Sequence, residues 1–117
     1  IFLVSDFLAP DIERPLRLLA QRHDVVAVTV EDPSELDLPD IGLARLVDPE
    51  SGALVDIDTS DARVRSAFAG AVHGEGEWRK RLLRRLAIDE VLVRTNGSIV
   101  EPLLRFFRTR ETRRRQR

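Results

Sequence analysis

Few side chains in these 117 residues have the type and spacing to do chemistry. Asp6 closes the apolar run Ile1-Phe2-Leu3-Val4-Ser5. Open α/β sheets place function at the carboxyl ends of their strands. Asp6 therefore reads either as a metal or partner contact, or as an Asx-turn that caps the following loop. Thr59, Ser60 and Asp61 stand at a second junction, where they line the same edge as Asp6 or only cap a helix. Thr95-Asn96-Gly97-Ser98 leads from a strand into a helix whose free N–H groups can hold an anion, but it lacks the spaced glycines of a phosphate-binding motif. Arg113, Arg114 and Arg115 belong to an Arg-rich segment able to neutralise phosphates or an acidic partner. No aromatic follows Phe107, so bases have no stacking platform there and nucleic acid is not the expected partner. His23 and His73 have no Cys or second His beside them. No serine stands in an elbow context, so no nucleophile–base pair emerges and an enzyme is not expected.

Composition narrows the classes further. Zero Cys removes disulfides, thiolate zinc sites and cysteine nucleophiles. A balance of 43% hydrophobic and 33% charged residues is that of a globular domain. No apolar run approaches the roughly 18 residues that span a bilayer. The first residues lack a basic secretory n-region, and a cytoplasmic setting is expected, with membrane association left open for a longer protein. The chain holds no Met and starts inside a hydrophobic strand, as expected of a fragment. The net charge of −1 hides an asymmetry, because residues 105–117 carry seven Arg against Glu111 alone.

The elements that must position these residues follow from periodicity. Residues 1–5 and 24–31 are near-continuous apolar runs, as covered parallel strands require. The first suits a central strand. Between them a helix runs to about Arg22, with Ile12, Leu16, Leu19 and Ala20 on one face, started by an Asp11 cap or by Pro15 as its first residue. An acidic loop, 32–41, leads to a hairpin of 42–47 and 53–58 turning through Asp48-Pro49-Glu50-Ser51-Gly52. Val64, Phe68, Ala71, Trp78, Leu82 and Leu86 keep one helical phase, predicting a single long helix to about Ala87. Beside Trp78, residues Arg79, Lys80, Arg81, Arg84 and Arg85 read as a solvated outer face. Residues 89–94 form a third parallel strand. Ser98-x-x-Glu101 matches a capping box and opens a last helix with Ile99, Leu103, Phe106 and Phe107 inward. Residues 1–108 form the domain, and 109–117, without an apolar side chain, are expected to be a flexible Arg-rich tail, disordered or the frayed end of the helix. The order is that of an α/β fold, an open doubly wound parallel sheet with an inserted β-hairpin.

IFLVSDF, PLRLLAQRHDVVAVTVEDPSELDLPDIGLARLVDPESG, VDIDTSD and EPLLRFFR together resemble the bacterial family called domain of unknown function 58, whose domain is similar to von Willebrand factor A. The resemblance covers nearly the whole chain up to Arg108. It implies the C-terminal half of a Rossmann-type von Willebrand factor A-like domain, with the fourth, fifth and sixth core strands. It implies a non-enzymatic protein-binding scaffold that works with a MoxR-type AAA+ ATPase in assembly or maturation of other proteins. Asp6, Thr59, Ser60, Asp61 and Thr95 would then face the partner. In complete domains of this type a divalent cation such as Mg²⁺ is held by an Asp-x-Ser-x-Ser loop, a Thr, and an Asp at the position of Asp6. Here the two Asp-x-Ser triplets, 32–34 and 58–60, lack the second Ser, having Leu36 and Ala62 instead, and Phe7 replaces the usual small residue after the Asp. One carboxylate does not make a dedicated site, so no cofactor is expected in this chain itself. The alternative function is an anion- or nucleic-acid-binding module using Arg113, Arg114 and Arg115. A sheet with a raw edge invites pairing with a second copy, so a homo-oligomer is also expected.

Overall fold

The structure, a computed structural model, describes residues 1–48 and 51–117. Along the chain run β1 (Phe2–Ser5), α1 (Glu13–Arg22), β2 (Val26–Glu31), β3 (Leu43–Val47), β4 (Leu54–Asp58), α2 (Ala62–Arg85), β5 (Asp89–Arg94) and α3 (Val100–Arg115). They divide into two compact units, one of Ile1–Pro33 with Gly76–Arg117, the other Ser34–Glu75.

The first unit is α/β. Its three strands are parallel in the order β1-β2-β5. Parallel neighbours need crossovers long enough to hold a helix, and α1 is the crossover between β1 and β2. β2, not β1, is the central strand, which corrects the expectation for residues 1–5. The reason is visible in their burial. Val26, Ala27, Val28 and Thr29 are all buried, whereas Phe2 and Val4 of β1 are 52% and 64% exposed. One face of the sheet packs Ala27 with Phe7, Leu16, Val25, Leu82, Leu83 and Ile88, supported by Leu3. The other face packs Val26, Val28, Val91 and Val93 under Leu103 and Phe106 of α3. Each fully buried Val, Leu or Phe contributes roughly 1.5–3 kcal/mol relative to exposure, so these two layers hold the unit together. Ile99 and Phe107, expected inward, are exposed, and so is Trp78.

Local signals explain the element ends. Asp11 makes no cap for α1: Ile12 occupies that position without a side-chain bond, and Pro15 sits in the first turn, where its missing N–H has no intrahelical acceptor. α2 ends in a Schellman arrangement. The Ile88 N–H reaches the Leu83 carbonyl at 2.9 Å and the Ala87 N–H reaches that of Arg84 at 3.0 Å. Ala87 takes the left-handed conformation (φ 54°) that glycine usually fills. At the start of α3 the Ser98 hydroxyl accepts the Glu101 N–H at 3.2 Å, the forward half of the capping box. α3 then continues through Arg115, so the boundary expected after Arg108 is not a break in structure. Arg is a good helix former, and the ion pairs Arg105–Glu101 and Arg115–Glu111, each four residues apart, brace the exposed turns.

The second unit carries the inserted hairpin. β3 and β4 pair antiparallel, with Arg45 opposite Asp56 and Val47 opposite Leu54. The Asp48 carbonyl accepts the Gly52 N–H at 2.8 Å and Gly52 adopts φ 71°, closing the turn. Pro49 and Glu50 of the expected turn lie outside the described residues. The Asp61 carboxylate accepts the Arg63 N–H at 2.8 Å and caps the start of α2. No helix among the described residues is long and apolar enough to cross a membrane.

Candidate functional site

The carboxyl edge of the parallel sheet is built by the ends of β1, β2 and β5. The chain leaves β1 in a tight turn. The Ser5 hydroxyl accepts the Phe7 N–H at 3.0 Å and the Asp6 carboxylate accepts the Leu8 N–H at 3.2 Å. Phe7 itself is left-handed (φ 57°) and fully buried. The turn costs backbone strain on the order of 1 kcal/mol, which the ring's burial offsets. Asp6 therefore fills its Asx-turn role and remains exposed beyond it. At the ends of the other two strands, the Thr95 N–H continues the ladder to the Glu31 carbonyl at 3.1 Å, and Arg94 pairs with the Glu31 carboxylate at 3.2 Å. Thr95 is exposed. β1 and β5 flank β2 from opposite sides, so Asp6 and Thr95 share this edge but not one pocket.

Thr59, Ser60 and Asp61 belong to the second unit. Thr59 is fully buried there, and its hydroxyl is spent accepting the Ile41 N–H at 3.0 Å and donating to the Gly42 carbonyl at 2.5 Å. A buried and doubly bonded hydroxyl is a structural pin rather than a surface contact. The Ser60 hydroxyl donates to Asp58 at 2.5 Å. Asp61 caps α2 and bonds the Arg63 guanidinium, which holds its carboxyl below the usual carboxylate range. Only Ser60 and Asp61 of this trio face solvent. Asp6 accordingly stands as a lone carboxylate, and no group of three His, Cys, Asp or Glu among the described residues converges as a metal site. Among the described residues Asp6 brings one carboxylate to the carboxyl edge, whereas a hard cation wants several oxygen ligands at once.

The Arg residues form a second candidate site at the opposite, amino edge of the sheet. Arg110, Arg113 and Arg114 recur at helical spacing on α3, and with Arg117 just beyond its end and Phe107, Glu111, Asp24 and Asp89 they line a cleft of about 690 Å³. Asp24 precedes β2 and Asp89 opens β5. One Arg110 nitrogen lies 2.5 and 2.6 Å from the two Asp24 oxygens. The Arg110 guanidinium holds the Asp24 carboxyl below its ordinary value, and Asp24 in turn raises Arg110. Arg110 also lies over the Phe106 ring, 5.6 Å from its centre. Asp89 is 4.0 Å from Arg110 and 3.9 Å from Arg113. Of the three Arg singled out in the sequence, Arg113 and Arg114 line this cleft, while Arg115 pairs with Glu111 at 2.6 Å. The pairing of Arg110 with its two carboxylates has no sequence signal, because residues 86 and 21 positions apart show no pattern along the chain.

A buried cluster also went unread. Glu90 accepts the Thr29 hydroxyl and the Arg79 Nε, each at 2.7 Å. Arg79 and Thr29 are buried. Arg79 is thus removed from the solvated basic stripe. Its spacing to Leu82, Leu83 and Leu86 (three, four and seven residues) was the available signal. His23 is the C-cap of α1, its N–H bonded to the Leu19 carbonyl at 3.0 Å, and His73 is exposed on α2.

Comparison with known proteins places the chain. The family described as protein of unknown function DUF58 matches residues 1–77. The chain is 36% identical over 109 residues to the uncharacterized protein MAV169 of Mycobacterium avium, covering 92% of this chain and 64% of that protein. It is 35% identical over 109 residues to the uncharacterized proteins Rv1480 of Mycobacterium tuberculosis and Mb1516 of Mycobacterium bovis, covering 34% of each. The chain thus spans less than two thirds of the length of these curated relatives. No solved structure matches it. With the family match extending over well more than half of its residues, the chain belongs to the DUF58 family.

Proposed function

We propose that the chain is part of a von Willebrand factor A-like, Rossmann-type scaffold that binds protein partners without catalysis, working with a MoxR-type AAA+ ATPase in protein assembly or maturation. The observation that carries the reading is the hairpin. Leu43, Val47 and Leu54 on one face of β3–β4 are 84%, 61% and 61% exposed, with the Arg45–Asp56 pair and Asp58 among them. Two strands alone are marginal in water, and clustered exposed apolar side chains mark interaction surfaces. The parallel sheet with helices on both faces and a carboxylate at the end of β1 supports the von Willebrand factor A-like reading. A divalent cation such as Mg²⁺ would need oxygen ligands from beyond this chain to join Asp6. The test is capture of the ATPase by the intact protein, with and without Mg²⁺. Leu43→Asp/Val47→Asp should weaken capture by at least roughly ten-fold, the loss expected when anchor side chains are removed, with an unchanged circular dichroism spectrum. Absence of capture in both conditions overturns the proposal.

The outer edge of β1 has no strand beside it among the described residues, and such edges pair readily. We infer that copies associate through β1 or the hairpin. Sedimentation that returns a single monomer at high concentration defeats this part of the reading.

A further inference from the structure

The cleft at the amino edge of the sheet is a different site from the hairpin, and its chemistry does not depend on the scaffold reading. The face of α3 that packs Leu103 and Phe106 against the sheet turns to guanidinium where the helix passes the first strand residues. Carboxylates meet only part of that charge. Asp24 engages Arg110, and Asp89 is shared between Arg110 and Arg113 at 4.0 and 3.9 Å. Glu111 is taken by Arg115. Arg114 and Arg117 line the same cleft with no carboxylate within ion-pair distance among the described residues. Arg114 and, just past the end of α3, Arg117 line the cleft beside Arg110, which Asp24 fixes in place, and each guanidinium presents an N–H fork. Such forks match the oxygens of a phosphate in bidentate fashion. Their two uncompensated charges match a terminal phosphate group, which carries about −1.5 to −2 at neutral pH.

We propose that Arg113, Arg114 and Arg117 form a binding site for a terminal phosphate group, oriented by the Asp24–Arg110 clasp. The clasp removes Arg110 from competition for the ligand and fixes the helix against β2. The remaining three guanidiniums meet the phosphate oxygens at the cleft mouth. Free phosphate monoesters and the headgroup of a monoester lipid share this chemistry.

Calorimetric titration of the intact protein with inorganic phosphate tests the site. Saturable binding is expected, weakened roughly ten-fold or more for each guanidinium lost in Arg114→Gln and Arg117→Gln. Arg108→Gln, on another face of α3, should leave it unchanged. A second arm measures sedimentation with vesicles of phosphatidylcholine alone or with phosphatidic acid. Binding confined to the titration assigns a soluble source, and phosphatidic acid-dependent sedimentation lost in the same variants assigns a lipid. No saturable binding in either arm overturns the proposal. So does an equal loss on Arg108→Gln, or retention of phosphate affinity in the Arg114→Gln/Arg117→Gln variant, because each makes the attraction diffuse rather than sited. Circular dichroism of every variant should show an unchanged helix content.

Discussion

The two units of this chain divide the physical labour unevenly. The sheet unit carries 16 basic and 11 acidic side chains, and the hairpin unit three basic and nine acidic, so one is net +5 and the other −6. All eleven buried hydrophobic side chains belong to the sheet unit, and Thr59 is the single buried residue of the hairpin unit among the described residues. The hairpin unit instead exposes Ile41, Leu43, Leu46, Val47, Leu54 and Val55. The lesson is that one region derives its order from apolar layers above and below β2. The other is organised by hydrogen bonds, through Thr59 and Asp61, and leaves its apolar side chains for something else to cover.

The sharpest way to break that comparison is to remove matched amounts of apolar surface from each. Phe7→Ala deletes a fully buried ring, and such deletions cost about 3–5 kcal/mol. The smaller side chain leaves the left-handed backbone strained without the packing that offset it. Leu54→Ala on the exposed hairpin should cost under about 0.5 kcal/mol. Urea denaturation followed by Trp78 fluorescence checks both. Equal losses would mean that the hairpin is as much a core element as the sheet.

A smaller effect probes the polar exception inside the sheet unit. Arg79→Met leaves Glu90 without its cation. Breaking a fully buried pair costs about 3–5 kcal/mol, but the Glu90 side chain keeps 19% of its exposure, so about 2 kcal/mol is expected. Arg79→Met/Glu90→Gln keeps an acceptor for Thr29 and should recover most of that loss. If the double variant is no better than the single, the network matters for shape and not for charge.

Much of the architecture was legible from the chain alone, for a physical reason. Valine runs and helical phases report burial directly, so β2, β5 and the unbroken α2 can be read from residue types, and the hairpin from its alternation and turn residues. What escaped were pairings across the chain. The IFLVS run looks central because its side chains are apolar, yet centrality depends on which strands lie alongside. Arg79 looks solvated because it is charged, although it shares the phase of Leu82, Leu83 and Leu86. The polar stretch after Arg108 looks unstructured because nothing in it is apolar, although ion pairs and the Arg110–Asp24 clasp suffice to continue the helix. Asp6 was placed correctly at a strand end. Thr59 reads as an edge residue or a helix cap, and its buried role is hidden because a hydroxyl's partners, here the Ile41 N–H and the Gly42 carbonyl, cannot be seen from its neighbours in sequence.

A third test works in the stabilising direction. Ala87 holds the left-handed position after α2 at φ 54°. Ala87→Gly relieves that strain and loosens the unfolded chain, for a net gain of about 0.5–1 kcal/mol. Thermal melting should register it as a rise of a few degrees. The same exchange elsewhere in α2 should lower the melting point, since glycine inside a helix costs about 1 kcal/mol.

The smallest effect separates the two units by pH. Asp24 has its carboxyl lowered from the ordinary 3.8, chiefly by the hydrogen bond from Arg110. A lowered folded value means that the folded state binds the proton less readily than the unfolded chain. The clasp's contribution is therefore complete above pH 3.8, the unfolded value, and drains away as pH falls through the still lower folded value. Asp61 follows the same rule through Arg63 in the hairpin unit. Asp24→Asn should thus lower stability slightly at neutral pH, and the gap from the parent should close in strong acid. Because Asp24 is exposed and Arg110 only half-buried, salt must shrink the gap at neutral pH. The discriminating measurement is amide exchange at the end of α3. Asp24→Asn should speed exchange there while leaving the hairpin amides unchanged, and Asp61→Ala, which removes the cap, should do the reverse at the start of α2. If either variant loosened both regions equally, the clasp and the cap would be parts of one cooperative body, and the contrast between a packed sheet unit and a hydrogen-bonded hairpin unit would have to be given up.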